Sequence, residues 1–143
     1  FPQESAISYL VDASQTGQWY FQYGISAAFL SCLAAATRES KWLELAQKFL
    51  RASKHCREDV YLQPTSGKIG WGAAWTYRLS RDPEDRQMAE AVGEGLLALQ
   101  HEDGYWRRVG IYELETDKNH EPSLAVTGEF VTLLGSMYLA LDV

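Results

Sequence analysis

Apolar residues recur at helical spacing along almost the whole chain, and Gly and Pro divide that pattern into blocks. Ala6, Ile7, Leu10 and Val11 put one apolar face on Glu4–Gln15, and Thr16-Gly17 ends that block. A second helix is predicted over Trp19–Thr37. A third follows over Ser40–Cys56, with Ser40 as its N-cap and Trp42, Leu43, Leu45, Ala46, Phe49 and Leu50 on one stripe. Pro64, Ser66 and Gly67 mark Arg57–Lys68 as a loop, and Gly70–Ser80 reads as a fourth helix. Asp82-Pro83-Glu84 supplies an N-cap, a first-turn proline and an acidic first turn for a fifth, which runs to about Gln100. After a long loop over His101–Glu121, Pro122 opens a last helix to about Leu141. No stretch alternates convincingly with period two, and a short ribbon over Tyr105–Glu115 carries little weight beside the helices. The predicted fold class is all-α.

The blocks pair into hairpins, and the hairpins repeat. Gly24-Ile25-Ser26-Ala27-Ala28-Phe29 aligns with Gly70-Trp71-Gly72-Ala73-Ala74-Trp75, and the same register lays Leu33 on Leu79, Leu50 on Leu96 and Ala52 on Ala98. A weaker third copy lays Phe130 and Leu134 on Trp75 and Leu79. Ser40–Cys56 and Asp82–Gln100 have charged faces, which suits outer helices. Trp19–Thr37, Gly70–Ser80 and Pro122–Leu141 are almost uncharged, so they are expected to be inner helices and more buried than the outer ones. This predicts helical hairpins packed as a partial or small α/α toroid, about three hairpins in one domain over residues 1–143.

One motif carries a resemblance. Gln100-His101-Glu102-Asp103-Gly104-Tyr105-Trp106 resembles the QW motif, Gln-x-x-x-Gly-x-Trp, of α/α-toroid proteins. Terpene cyclases of the squalene–hopene type carry that motif, as do relatives of the protein prenyltransferase β subunit and complement-type thioester domains. The resemblance implies that Gln100 caps a helix end, that Gly104 takes a left-handed turn and that Trp106 packs beside them. It also implies an aromatic-lined cavity for a small, apolar substrate of terpenoid or polyketide type. The catalytic signatures of those families do not occur: there is no Asp-x-Asp-Asp, no Asp-Asp-x-x-Asp, no Cys-Gly-Glu-Gln and no recognisable zinc set. The chain holds about half the hairpins of a complete toroid, so a homo-oligomer or a missing half-toroid enters as a partner.

Composition narrows the function classes. With 143 residues, 46% hydrophobic and 22% charged, the chain is an ordinary globular domain. A net charge of −6 excludes the electrostatic footprint of a nucleic-acid binder and disfavours an anionic membrane surface. The apolar stretch Ile25–Ala36 is broken by Ser26 and Ser31 and is too short to span a bilayer. Cys32 and Cys56 lie in helical patterns and read as two buried thiols. No metal-ligand spacing or nucleotide motif is visible, so no cofactor and no metal are expected. No leader of charged then apolar residues is seen, and the cytoplasm is the expected compartment.

Five Trp and eight Tyr are many for this length and offer walls for a pocket. Tyr20, Tyr23, Trp71 and Tyr77 are the candidate substrate-binding aromatics, while Phe29 and Trp75 are expected in the core. Ala125, Gly128, Glu129, Thr132 and Ser136 form a small, polar stripe on the last helix, which adds Thr132 to the binding set. Glu129 is the lone acid within an inner helix and is a candidate general acid, with Lys68 or an Arg as its structural counter-ion. His120 and Glu121, just before Pro122, form a candidate acid–base pair. The expected function is a metal-independent cyclase or isomerase acting on a small molecule. A carbohydrate-active lyase or hydrolase and a non-catalytic half-toroid are the alternatives.

Overall fold

A computed structural model describes residues 11–106 and 124–142. Among them are five α-helices and no strand: α1 (Phe21–Thr37), α2 (Ser40–Ser53), α3 (Gly67–Ser80), α4 (Pro83–Ala98) and α5 (Leu124–Leu141). Short 3-10 turns at Glu58–Tyr61 and Pro64–Ser66 lead into α3, so this helix starts three residues before the predicted Gly70. The predicted first helix does not extend over residues 11–15. Asp12 caps a turn there, accepting from the Ser14 N–H at 2.9 Å. The rest of that block, the predicted start at Pro122 and most of the Tyr105–Glu115 ribbon lie outside the described residues.

The helices form two layers. α3 is the hub: it packs on α1 at one side, on α5 at the other, and on α2 and α4 behind. α1, α3 and α5 thus form a row, with α2 covering the α1–α3 seam and α4 covering α3 and α5. Side-chain size decides how close the row sits. A Cβ built on Gly24 would lie 1.8 Å from the Lys68 carbonyl oxygen, and one on Gly72 would lie 2.4 Å from the Gly24 carbonyl oxygen. The backbones of α1 and α3 therefore touch, which any side chain at either position would prevent. Beside this contact the buried Ser31 and Thr76 hydroxyls share a hydrogen bond of 2.9 Å.

Both hairpins turn in the same way. Arg38 (φ 60°) and Arg81 (φ 58°) end α1 and α3 in the left-handed region. Their N–H groups bond Ala34 O and Tyr77 O, both at 2.8 Å, and the next residue, Glu39 or Asp82, is extended. Asp82 then caps α4 as predicted, accepting from the Glu84 N–H at 3.0 Å. Ser40 does not cap α2: Glu39 holds that position and makes no side-chain cap bond. The outer helices are clasped by charge. Arg51 reaches Asp82 at 2.7 Å and Glu84 at 3.0 Å, Lys54 pairs with Glu84, and Gln47 donates to Asp85 at 2.9 Å. Burial pushes the Asp85 carboxyl up, against the hydrogen bonds from Gln47 and Ser80.

The corner after α4 has the geometry expected of its motif. The Gln100 side chain donates to Gly104 O at 3.0 Å, and Gly104 is left-handed at φ 86°. Trp106 is buried, donates its indole N–H to Leu96 O at 2.7 Å, and meets Phe130 of α5 edge to face at 5.7 Å. Its backbone N–H is accepted by the Thr127 hydroxyl at 3.0 Å. This corner fixes α5 on the rest of the chain.

One expectation about burial fails. α3, at the centre of the row, buries seven of its 14 residues, but α1 buries six of 17 and α5 four of 18, both smaller shares than the six of 16 in outer helix α4. The reason is position: among the described residues α1 and α5 end the row, and each has an inner neighbour on one side only. By length and composition α5 is also apolar enough to cross a membrane, a test that core helices pass as well. The thiols also differ from expectation, since Cys32 is exposed and Cys56 half-buried, and neither is bonded to the other.

Candidate functional site

The inner helices α1, α3 and α5 share one pattern of buried positions: Ala27, Ala73 and Phe130 match, as do Leu30, Thr76 and Leu133. That match makes Ile25, Trp71 and Gly128 equivalent, and likewise Phe29, Trp75 and Thr132. The third repeat is therefore shifted by two residues from the register predicted by sequence, which placed Phe130 on Trp75. Phe130 is instead buried against Trp106. With the register corrected, these equivalent positions fall on the side of the row opposite α2 and α4. This open face is where the chain has side chains to offer.

A cavity of about 470 Å³ lies on it between α3 and α5. Lys68 and Trp71 form one wall; Gly128, Glu129, Thr132, Leu133 and Ser136 form the other. Helical spacing explains both walls. Lys68 and Trp71 are one turn apart on α3, and Gly128, Thr132 and Ser136 stack at successive turns of α5. A Cβ on Gly128 would meet nothing within 4 Å, so this wall is hollow by composition. The Glu129 carboxylate and the Lys68 ammonium form an ion pair across the cavity. Their side chains are 45% and 33% exposed, which puts the pair at a wet surface and not in a dry pocket. Lys68 also stands 6.0 Å from the Phe21 ring centre. The Thr132 hydroxyl donates to Gly128 O at 2.8 Å and keeps its lone pairs for a ligand.

The structure thus brings together Glu129, Trp71 and Thr132 of the predicted set, and it separates the tyrosines from them. Tyr20 is fully buried at the start of α1 and is not among the residues that line this cavity. Its hydroxyl donates to Asp59 at 3.0 Å, and Asp59 also accepts from the Gly17 N–H and the Gln63 amide. Burial and the Asp59 carboxylate hold the Tyr20 hydroxyl well above the usual tyrosine range. Tyr23 turns toward the outer layer, where the Cys56 thiol donates to its hydroxyl at 3.6 Å, and burial pushes it up to about 12. Tyr77 lies near the far end of α3, with the Arg81 and Arg86 guanidinium groups 5.6 and 5.7 Å from its ring centre. Hydrogen bonds from Arg86 and then Arg81 pull its hydroxyl down. The aromatic cage of Tyr20, Tyr23 and Trp71 is therefore not assembled. His120 and Glu121 lie outside the described residues.

Two aromatics expected in the core are on the open face instead. Phe29 is 65% exposed, and Trp75 is half-buried with the Arg78 guanidinium 5.5 Å from its ring centre. Sequence reasoning named Lys68 as the counter-ion of Glu129, the pair found here, but did not single out Arg78. Lys68, Trp71, Trp75 and Arg78 recur at one-turn spacing on a single face of an otherwise apolar helix, which is the signal that marks them. Among the described residues, no group of three or more His, Cys, Asp or Glu side chains is placed to hold a metal ion. No protein-family model, curated protein or solved structure matches the chain.

Proposed function

We propose that the α3–α5 cavity binds a small molecule and that the chain is an isomerase-type enzyme in which Glu129 and Lys68 move a proton on it. The observation that carries this reading is an acid and a base of opposite charge, side by side over Trp71 in the wall of a cavity. In such a reaction the Glu129 carboxylate takes a proton from a carbon beside a carbonyl. The Lys68 ammonium hydrogen-bonds the oxygen on which the charge develops. Return of the same proton from Glu129 to a different carbon gives an isomer of the substrate, with nothing oxidised and nothing lost. The Trp71 ring gives the substrate an apolar floor. A glycosidase reading has less support, because that chemistry uses two carboxyl groups and this cavity presents one.

The test is proton exchange in D₂O with a panel of cyclic and polyketide-type ketones, followed by NMR. The wild-type chain exchanges an α-proton of at least one ketone, and Glu129→Gln slows this by about 100-fold or more while the fold persists. Exchange that survives Glu129→Gln unchanged overturns the assignment.

An inner row of three helices with outer helices on its seams would also suit an arc of an α/α toroid. A non-catalytic half-toroid is favoured by one observation, the bare side of α5. Leu124, Val131, Tyr138 and Leu139 are 88%, 56%, 67% and 69% exposed there. Light scattering separates the readings: a monodisperse monomer at micromolar concentration counts against self-completion of the toroid.

A further inference from the structure

The open face continues beyond the cavity, and its chemistry is graded across the row. α1 contributes Ile25, Phe29 and Cys32, which are apolar and exposed. α3 contributes Trp71 and Trp75 one turn apart, followed by Arg78. α5 contributes the small, polar wall already described. The charges on this face do not balance. Glu129 is neutralised by Lys68, while Arg78 stacks on Trp75 and has no carboxylate partner among the described residues. Among the described residues Arg78 is therefore a cation with no carboxylate paired to it, at the end of an aromatic strip in a chain whose net charge is −6. A helical rise of 1.5 Å per residue puts the Trp71 and Arg78 positions about 10 Å apart along α3, roughly the length of a two-ring aromatic acid. A guanidinium held over an indole by cation–π attraction has N–H groups to offer an oxyanion.

From this charge complementarity we propose that the open face takes an anionic amphiphile. Its apolar body lies on Trp71, Trp75 and Phe29, and its acidic head meets Arg78. This inference rests on the reading of the α3–α5 cavity as a ligand site, and it names the class of ligand which that site selects. A neutral molecule of the same shape gains the aromatic contacts but not the guanidinium. The Arg78 contact is made at a solvated surface, so it contributes selectivity rather than most of the affinity.

The experiment compares 2-naphthoate with 2-naphthalenemethanol, which share a ring system and differ in charge. Binding is measured by tryptophan fluorescence and by calorimetry at low salt. The wild-type chain prefers the carboxylate by about ten-fold, the ratio expected of one charge-assisted hydrogen bond. Arg78→Gln removes the preference and leaves binding of the alcohol unchanged. Gly128→Leu, which fills open space in the cavity wall, weakens both probes. Equal affinity for the two probes, or a preference that survives Arg78→Gln, overturns the anion assignment and leaves the cavity reading standing. Failure of the wild-type chain to bind either probe, or binding indifferent to Gly128→Leu, overturns the cavity reading and this inference with it.

Discussion

Gly24→Ala tests the contact on which the row of inner helices depends. A methyl group there would lie 1.8 Å from the Lys68 carbonyl oxygen, 2.0 Å from its carbon and 2.3 Å from the Ile69 nitrogen. These are backbone atoms of α3, so no side chain can swing aside. To restore ordinary contact α1 must withdraw by about 1.5 Å. Overpacking of this kind costs about 1–3 kcal/mol. The withdrawal also stretches the 2.9 Å Ser31–Thr76 bond. Thr76 keeps its bond to Gly72 O at 2.8 Å, but the Ser31 hydroxyl is left buried without it, at a cost of about 1–2 kcal/mol. Alanine returns about 1 kcal/mol through its helix propensity. The net loss is about 3 kcal/mol, which in a chain of this size lowers the Tm by roughly 10 °C.

Urea unfolding followed by circular dichroism measures the loss, with Gly135→Ala as control. A Cβ at Gly135 meets nothing within 4 Å, so that variant gains about 0.5–1 kcal/mol from propensity alone. If Gly24→Ala is as stable as the parent, or Gly135→Ala is as damaging, the close approach of α1 and α3 is wrong.

Three further outcomes are expected. Trp106→Ala loses the Leu96 hydrogen bond and the Phe130 contact and is destabilised by about 3–5 kcal/mol; an unchanged melting temperature contradicts the corner geometry. Arg38→Gly relieves a left-handed arginine that makes no ion pair among the described residues, and it raises stability by about 1 kcal/mol in urea unfolding. Tyr23 is held at about 12 in the folded chain against an ordinary value of 10, so between these pH values the folded state binds more protons than the unfolded state. Stability therefore falls as pH rises through that window, and Tyr23→Phe makes the fall less steep; an identical slope in the variant would show that Tyr23 titrates normally.

Much of the fold is legible in the sequence alone. The all-α class follows from the 3.6-residue period, and the α1–α2 and α3–α4 hairpins follow from their aligned Gly-small-aromatic segments. Asp82-Pro83-Glu84 and Gly104 announce their roles locally, because a cap and a left-handed turn depend on the residue that makes them. Tertiary structure alone decided the phase of the inner helices. α1 and α5 are apolar around most of their circumference, so periodicity cannot tell which side faces the core. That side was fixed by contacts distant in sequence: Gly24 against Lys68 and Gly72 turns α1, and Trp106 against Phe130 turns α5. Those contacts bury Tyr20, leave Phe29 exposed, shift the third repeat by two residues and carry Glu129 across to Lys68. A carboxylate and an ammonium 61 residues apart meet because Leu133 and Met137 of α5 pack onto α3 where Gly67 and Gly70 lack a Cβ.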